Sequence, residues 1–512
     1  MFFQSLNIHL KGSLVHFILL TCFLSPVSVV NGGVKNTAHV PKKLYFQINQ
    51  HVLAIQKKTL NLQIKEVAQD LHERRLAEPG NKMYDFLESY TWFFTLFIQE
   101  EQTQYDRALK RKKTLLENIK KGDPTSPYYR FCQAEILLQW ATIHLKFNEK
   151  TKAAYDVYEA YQLLEENTKR FPDFHENYKS LSIIHALAQS LPAWVQKLSG
   201  IKGSVSQGTK EIEVLVNRIH NYPLFKDEIL AIYIYILFYT KQEKELAYTV
   251  IQKYKLNESQ SPLLIFLTAT ITQKSGKNND AIKILEERHK SPGQLPFLYL
   301  DFLLGKYKLY RLDKDANQHI LKFVNGFKGR HYIKEAYQKL YWYEQLFGSN
   351  PGKSGYYKQQ ILKAGKSLID EDSQALTESR DGAPNPVLLK SRLLYDGGYY
   401  TRSMEELKSV SPDRFTTEEK EEYYYRIAKN SDALLMYEDA IIHYKKALTL
   451  STGVKYYACS SALSLGHLYE KQQNFVLAKQ YYQECLVLHP EGYSTSLHQK
   501  AKTALARMES KN

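Results

Sequence analysis

Residues 459–492 read CSSALSLGHLYEKQQNFVLAKQYYQECLVLHPEG. Leu465, Leu468 and Tyr469 recur at helical spacing, and so do Ala478, Tyr481, Tyr482, Cys485 and Leu486. Between the two sets, Lys471-Gln-Gln-Asn474 is polar and breaks the pattern, so the segment reads as helix, turn, helix. Gly466 and Ala478 are small where the two helices must approach closely. Pro490 stops the second helix, because proline lacks an amide donor and clashes with the preceding turn. One such hairpin cannot bury its apolar face alone, so neighbouring copies must stack on it.

The segment resembles the tetratricopeptide repeat family. With Cys459 as position 1, Leu465 and Gly466 fall at positions 7 and 8, Tyr469 at 11, Ala478 at 20, Tyr482 at 24 and Pro490 at 32. It departs from the family at position 4, where Ala462 stands for the usual Trp, and at position 27, where Cys485 stands for Ala. Weaker copies precede it, centred on Ala440, Ser403, Ala316 and Ala281, and residues 331–347 and 356–368 form one further degenerate pair. The resemblance implies an all-α solenoid of stacked hairpins that binds a protein rather than catalysing a reaction.

The reading divides the chain into an export signal at 1–32, an irregular helical half at 33–260, degenerate repeats at 261–383 and C-terminal repeats at 384–512. Residues 128–170 carry two long amphipathic patterns closed by Phe171-Pro172, an elongated hairpin. The run Ile229 to Phe238 has a strand-like composition but lies between helical patterns, and is read as a buried helix. Residues 180–208 read as a helix ending near Leu191-Pro192, a short helix through Trp194 and Leu198, and a glycine loop at Gly200, Gly203 and Gly208. This stretch is similar to one in the eukaryotic tetratricopeptide family of the mitochondrial outer-membrane inclusion-body clearance protein, which implies a membrane-anchored organelle protein as an alternative. The glycine loop with Lys202 and Lys210 could cradle an anion, but lacks the Gly-Lys-Ser/Thr ending of a phosphate loop; a tight connection between helices is the simpler reading.

Lys11 followed by the apolar run Ser13 to Leu24 reads as a secretory signal, with Gly33 starting the mature chain in a periplasmic or envelope location. A lipoprotein through Cys22 and an uncleaved anchor are the alternatives. Cys132 reads as a small core residue. Cys459 and Cys485 lie near the same end of one hairpin, so an exported protein could link them; otherwise they are two small core residues.

The chain holds 69 basic and 54 acidic residues, a net charge of +15. Clusters lie at Lys110-Arg-Lys-Lys113 and across 301–366, and suit acidic proteins, anionic lipid or glycan. Nucleic acid is not expected without a recognised binding module. No metal-binding His-Glu-x-x-His, phosphate loop, nucleophile elbow or Cys-x-x-Cys occurs, so no enzyme, cofactor, metal or small-molecule substrate is expected. The family resemblance places partner binding on the concave positions of the first helices. These are Arg392 and Tyr395, then Tyr425 with adjacent Arg426 and Lys429, then His467 and Lys471. That mixture of aromatic and basic residues suits an extended acidic segment or a C-terminal carboxylate as partner.

Overall fold

The computed structural model describes residues 45–191, 196, 200–348, 350–451, 453, 455–490 and 493–509. Among them are 24 α-helices and no strand. The first half comprises α1 (Gln50–Leu60), α2 (Ile64–Ala77), α3 (Met83–Gln99), α4 (Gln102–Ile119), α5 (Pro127–Lys146), α6 (Lys150–Arg170), α7 (Asn177–Leu187), α8 (Val205–Val216), α9 (Lys226–Tyr235) and α10 (Lys244–Lys253). The middle holds α11 (Pro262–Lys274), α12 (Asn278–Glu286), α13 (Tyr299–Arg311), α14 (Ala316–Gly326), α15 (Ile333–Phe347), α16 (Pro351–Lys363) and α17 (Asp370–Glu378). The last part is α18 (Pro386–Asp396), α19 (Tyr400–Lys408), α20 (Thr417–Ala433), α21 (Tyr437–Thr449), α22 (Tyr457–Lys471), α23 (Phe475–Val487) and α24 (Ser494–Glu509). Sequential helices pack as neighbours, and the chain is an all-α solenoid of hairpins.

The hairpins share one local geometry. Asn148, Gln242, Gly276, Gly398, Leu435 and Gln473 each have positive φ and make the turn. Five residues on from each stands a small, buried residue of the second helix: Ala153, Ala247, Ala281, Ser403, Ala440 and Ala478. In five of these hairpins the residue twelve before that one, in the first helix, is small as well: Ala141, Ala269, Ser391, Ala428 and Gly466. These small pairs let the two helices cross closely. At Gly466 a Cβ atom would lie 2.5 Å from the Tyr482 ring, which is why residue 466 must be small. In the 391/403 pair the crossing is closed by a 2.8 Å hydrogen bond between the two serine hydroxyls.

The turn geometry therefore extends the repeat into α5–α6 and α9–α10. Ile229 to Phe238 is buried, in α9 and the single π-turn Ile236–Thr240 that follows it. Gly208 is not part of a loop. It lies inside α8, where a Cβ would stand 2.1 Å from the Ser182 carbonyl oxygen of α7, so it serves a close helix crossing. The export segment with Lys11 and Cys22, and Pro192, Trp194 and Leu198, lie outside the described residues. Among the described residues no helix is long and apolar enough to cross a membrane.

Apolar clusters follow one another along the chain, from Val52 to Ile271, Ile265 to Leu393, Leu388 to Ile427 and Tyr425 to Ala504. Contacts distant in sequence wind the array. Leu295 N donates to Leu62 O at 2.8 Å, and Ser261 Oγ to Leu60 O at 2.8 Å. The Glu100 carboxylate, 3 % exposed, accepts from Arg330 N at 2.8 Å, pairs with His331 Nδ1 at 2.8 Å and accepts from Lys146. Farther along, Gly398 sits where a Cβ would meet Gly276 O at 2.7 Å, and Tyr399 Oη donates to Asn279 Oδ1 at 2.7 Å.

A second buried network ties α1, α3, α5, α7 and α9 together. Lys179 Nζ donates to Glu135 at 2.5 Å and to Glu228 at 2.7 Å, while Tyr90 Oη donates to Glu228 at 3.1 Å. One ammonium faces two carboxyls. Burial pushes Glu228 up to about 7, against the pull of Lys179.

Two predictions follow from this packing. Ala478→Leu overpacks a fully buried crossing and should cost about 1–3 kcal/mol in urea denaturation; an unchanged midpoint would contradict the crossing geometry. Glu228 releases its proton near pH 4.3 when unfolded and near 7 when folded, so its contribution is full below the lower value and is lost as pH rises through the upper one. Glu228→Gln should therefore flatten a decline on the order of 3 kcal/mol between about pH 4 and 7, read as the difference between the two stability–pH curves; parallel curves would show that Glu228 does not titrate there.

Candidate functional site

The first helices of the C-terminal hairpins bring a strip of tyrosines together. Helix α18 begins at Pro386 with Asn385 capping Val387 N, and carries Arg392 and Tyr395 one turn apart. Helix α20 is fixed by a capping box between Thr416 and Glu419, and carries Tyr425, Arg426 and Lys429. Helix α22 opens with Tyr456 and Tyr457. The Lys429 ammonium lies over the Tyr395 ring at 4.1 Å and the Tyr425 ring at 5.6 Å. Tyr425 is 5.9 Å from Tyr456 and 5.2 Å from Tyr457, and Tyr456 is 4.7 Å from Tyr493, between ring centroids. Tyr493 has positive φ in the connection before α24 and is 41 % exposed.

The strip is floored by ion pairs. Arg392 donates twice to Glu378, at 3.1 and 2.9 Å, and its guanidinium lies 4.6 Å from the Trp342 ring centroid. Lys339 lies over the same ring at 4.0 Å, and burial lowers its ammonium to about 8. Gln338 also donates to Glu378, at 2.8 Å. Burial would raise Glu378, but the Arg392 charge outweighs it and holds the carboxyl below its ordinary value. Arg426 Nε donates to Glu422 at 2.6 Å, one helical turn away. Both arginines thus already hold a carboxylate. Burial raises the phenols of Tyr395, Tyr456 and Tyr493, so their hydroxyls remain protonated and able to donate.

Of the residues expected from sequence, Arg392, Tyr395, Tyr425, Arg426 and Lys429 converge here. Tyr425 is only 4 % exposed, with its hydroxyl 3.1 Å from Ser460 Oγ, so it backs the strip rather than fronting it. His467 is exposed and packs edge-on against Tyr482 at 5.4 Å, while Lys471 lies over Tyr437 at 5.1 Å. Both make their ring contacts outside the strip. Nearby, Arg507 of α24 holds Glu470 at 2.7 Å. Trp342, Glu378, Tyr456, Tyr457 and Tyr493 join the site without having been singled out as binding residues. The Tyr456-Tyr457 doublet was the available signal; Tyr493 lies past the repeat and carried none. In the basic cluster at 110–113, Arg111 pairs with Glu88 at 2.5 Å, Lys112 with Asp156 at 2.7 Å and the exposed Lys113 with Glu117 at 3.9 Å. Among the described residues no group of three or more His, Cys, Asp or Glu could hold a metal ion.

Cys459 and Cys485 are buried free thiols whose sulfurs lie 3.6 Å apart across the α22–α23 hairpin. Protein made in an oxidising compartment should show two fewer reactive thiols, when denatured and labelled without reductant, than protein made in a reducing one. Full labelling of both in the oxidised preparation would leave the pair a packing role only.

No family model matches the chain, and no curated protein matches it. Among solved structures it is similar to a chain of an Naa15/Naa10 assembly bound to HypK-THB, at 13 % identity over 89 % of this chain and 65 % of that one, with a TM-score of 0.24. It is also similar to a chain of the APC/C hetero-tetramer Cut9–Hcn1, at 12 % identity over 89 % of this chain and 96 % of that one, with a TM-score of 0.26. The chain thus spans 65 % of the length of the first. None of these comparisons supports the resemblance of residues 180–208 to the mitochondrial family. The helix pairing described above, and not these likenesses, carries the fold.

Proposed function

We propose that this chain is a non-catalytic scaffold that holds an extended segment of a partner protein against the Tyr395–Tyr493 strip. The carrying observation is the convergence of partly exposed tyrosine rings, contributed by successive first helices and the last connection, on one face. Tyrosine supplies large rigid contact area with a hydroxyl at its tip, at low conformational cost, which suits a binding surface. We place the scaffold in an exported, envelope-associated setting on the strength of the Lys11 and Ser13–Leu24 segment.

An acidic segment remains the expectation from residue types, with Lys429 as its most accessible cation. A second reading uses the outer surface: Lys353, Lys363 and Lys366 are exposed on and just after α16 and would meet anionic lipid or glycan.

The test places a photo-crosslinking residue at Tyr493 and, as control, at Tyr155, which is 65 % exposed on α6. We expect a discrete partner from position 493 in cells and none from 155, with a mature N-terminus at Gly33. Equal capture from both positions, or none from 493, would remove the strip as the binding face. Pelleting with anionic vesicles that persists in the absence of any crosslinked protein would favour the outer surface. An N-terminus retained at Met1 would remove the cleaved signal.

A further inference from the structure

We infer that the exposed face of α16 lies against a lipid bilayer that carries anionic phospholipid headgroups. This rests on the outer-surface reading and names its occupant; it does not depend on the tyrosine strip. The sequence sets the charge of the face. No Asp or Glu stands between Glu344 and Asp370, while Lys353, Lys358, Lys363 and Lys366 fall in that stretch. Packing sets its direction. Helix α16 packs on α15 and touches α17, with Tyr357 and Ile361 buried on its inner side. Its ends are pinned. Asn350 Oδ1 accepts from Gly352 N at 2.9 Å, and Lys334 Nζ of α15 donates to Ile361 O at 2.7 Å and to Leu362 O at 3.3 Å. Lys353, Tyr356, Gln359, Leu362 and Lys363 are therefore left on the exposed side, with Lys366 just beyond. Tyr356 is 54 % exposed and Leu362 45 %. Lys358 is turned to Asp381 O at 2.7 Å. Among the described residues, no carboxylate pairs with Lys353, Lys363 or Lys366.

Two properties of this face select a bilayer. It sets unpaired ammonium groups beside large exposed apolar side chains. Lys353 and Lys363 lie about 15 Å apart along the helix axis and bracket Tyr356 and Leu362. An anionic glycan would meet the lysines and leave Leu362 against sugar hydroxyls. The face also belongs to a single helix and stands out from it, whereas small ligands are held in clefts that bury most of their surface. A bilayer interface needs no cleft. It takes the ammonium groups at the level of its phosphates and the tyrosine and leucine just beneath them. The flexible lysine stems let the charges stay at that level while the helix settles. At 13 residues α16 is too short to span a membrane, so it lies in the plane of the surface.

The test floats the full chain with vesicles of phosphatidylcholine alone, or of phosphatidylcholine and phosphatidylglycerol in equal parts. The chain should float with the anionic vesicles and not with the neutral ones, and lose affinity as salt is raised, because the charge attraction is screened. Lys353→Gln/Lys363→Gln/Lys366→Gln should weaken flotation by roughly fivefold per lysine. Tyr356→Ser/Leu362→Ser should weaken it at least about tenfold, while leaving retention on heparin unchanged. All these side chains are exposed, so helical circular dichroism should stay the same. Insertion is read directly with Leu362→Trp, whose added fluorescence should be quenched by lipids brominated in the acyl chain. Val476→Trp is the control, at an apolar site 81 % exposed on the far hairpin α22–α23, and should escape quenching. Equal flotation of either folded multiple variant, or equal quenching at 362 and 476, would overturn the inference. Heparin retention that the lysine variant loses, without flotation of the parent chain, would overturn the bilayer and leave the outer-surface reading standing. An acidic protein crosslinked from position 356, again without flotation, would do the same. Neither flotation, heparin retention nor a crosslink from 356 would sink both.

Discussion

Two helices joined by a short turn can cross closely only where they contribute almost no side chain to each other. That constraint organises this chain. It fixes a small residue twelve positions before another small one, as at Gly466 and Ala478 or Ala141 and Ala153, and a left-handed turn residue five positions before the second. Once the crossing is set, the large residues around it, such as Tyr482 over Gly466, must point where the next hairpin can cover them. Stacking is the consequence of each hairpin having more apolar face than it can bury alone.

Stacking alone gives a rod with a twist; the contacts between distant segments decide how tightly it winds. Gly398 against Gly276 and Tyr399 against Asn279 press the α18–α19 turn onto the α11–α12 turn. These sit at the foot of α18, so they also aim Arg392 and Tyr395. Upstream, Glu100 is held by Lys146, His331 and Arg330 N, and Lys179 by Glu135 and Glu228. Buried charges of this kind contribute little net stability, because desolvation offsets most of the attraction. Their value is geometric: a misaligned stack would leave a charge unpaired in the core, which costs several kcal/mol. That favours one winding over many.

The crossing residues were readable because their spacing is local. Position 20 stood out at Ala478, Ala440, Ser403 and Ala281, and each is fully buried there. The α5–α6 hairpin obeys the same rule at Ala141 and Ala153, although its helices run 20 and 21 residues and obscure the repeat length. The site was legible in part. Arg392, Tyr395 and Lys429 follow from the repeat positions that the family resemblance implies for partner binding. Their electrostatic state does not, because Glu378 belongs to α17 and reaches Arg392 only through tertiary packing. His467 occupies the position equivalent to Lys429, yet its ring packs edge-on against Tyr482 and takes no part in the ring contacts of the strip. Tyr493 escaped for the opposite reason: it lies in a connection, where no period applies.

This partition of charge separates how the protein meets other molecules from how it tells them apart. The net charge of +15 is carried largely by exposed lysines such as Lys353, Lys363 and Lys366, whose long-range field attracts anionic surfaces and falls off within about 8 Å at physiological salt. Inside the strip the arginines are neutralised by their own carboxylates, and what remains within contact distance is ring face, phenol hydroxyl and one stacked lysine. A surface so arranged gathers partners by charge without selecting them by charge. Selection falls to shape and hydrogen-bond pattern, which the crossing geometry sets for Tyr395 on α18 and Tyr457 on α22.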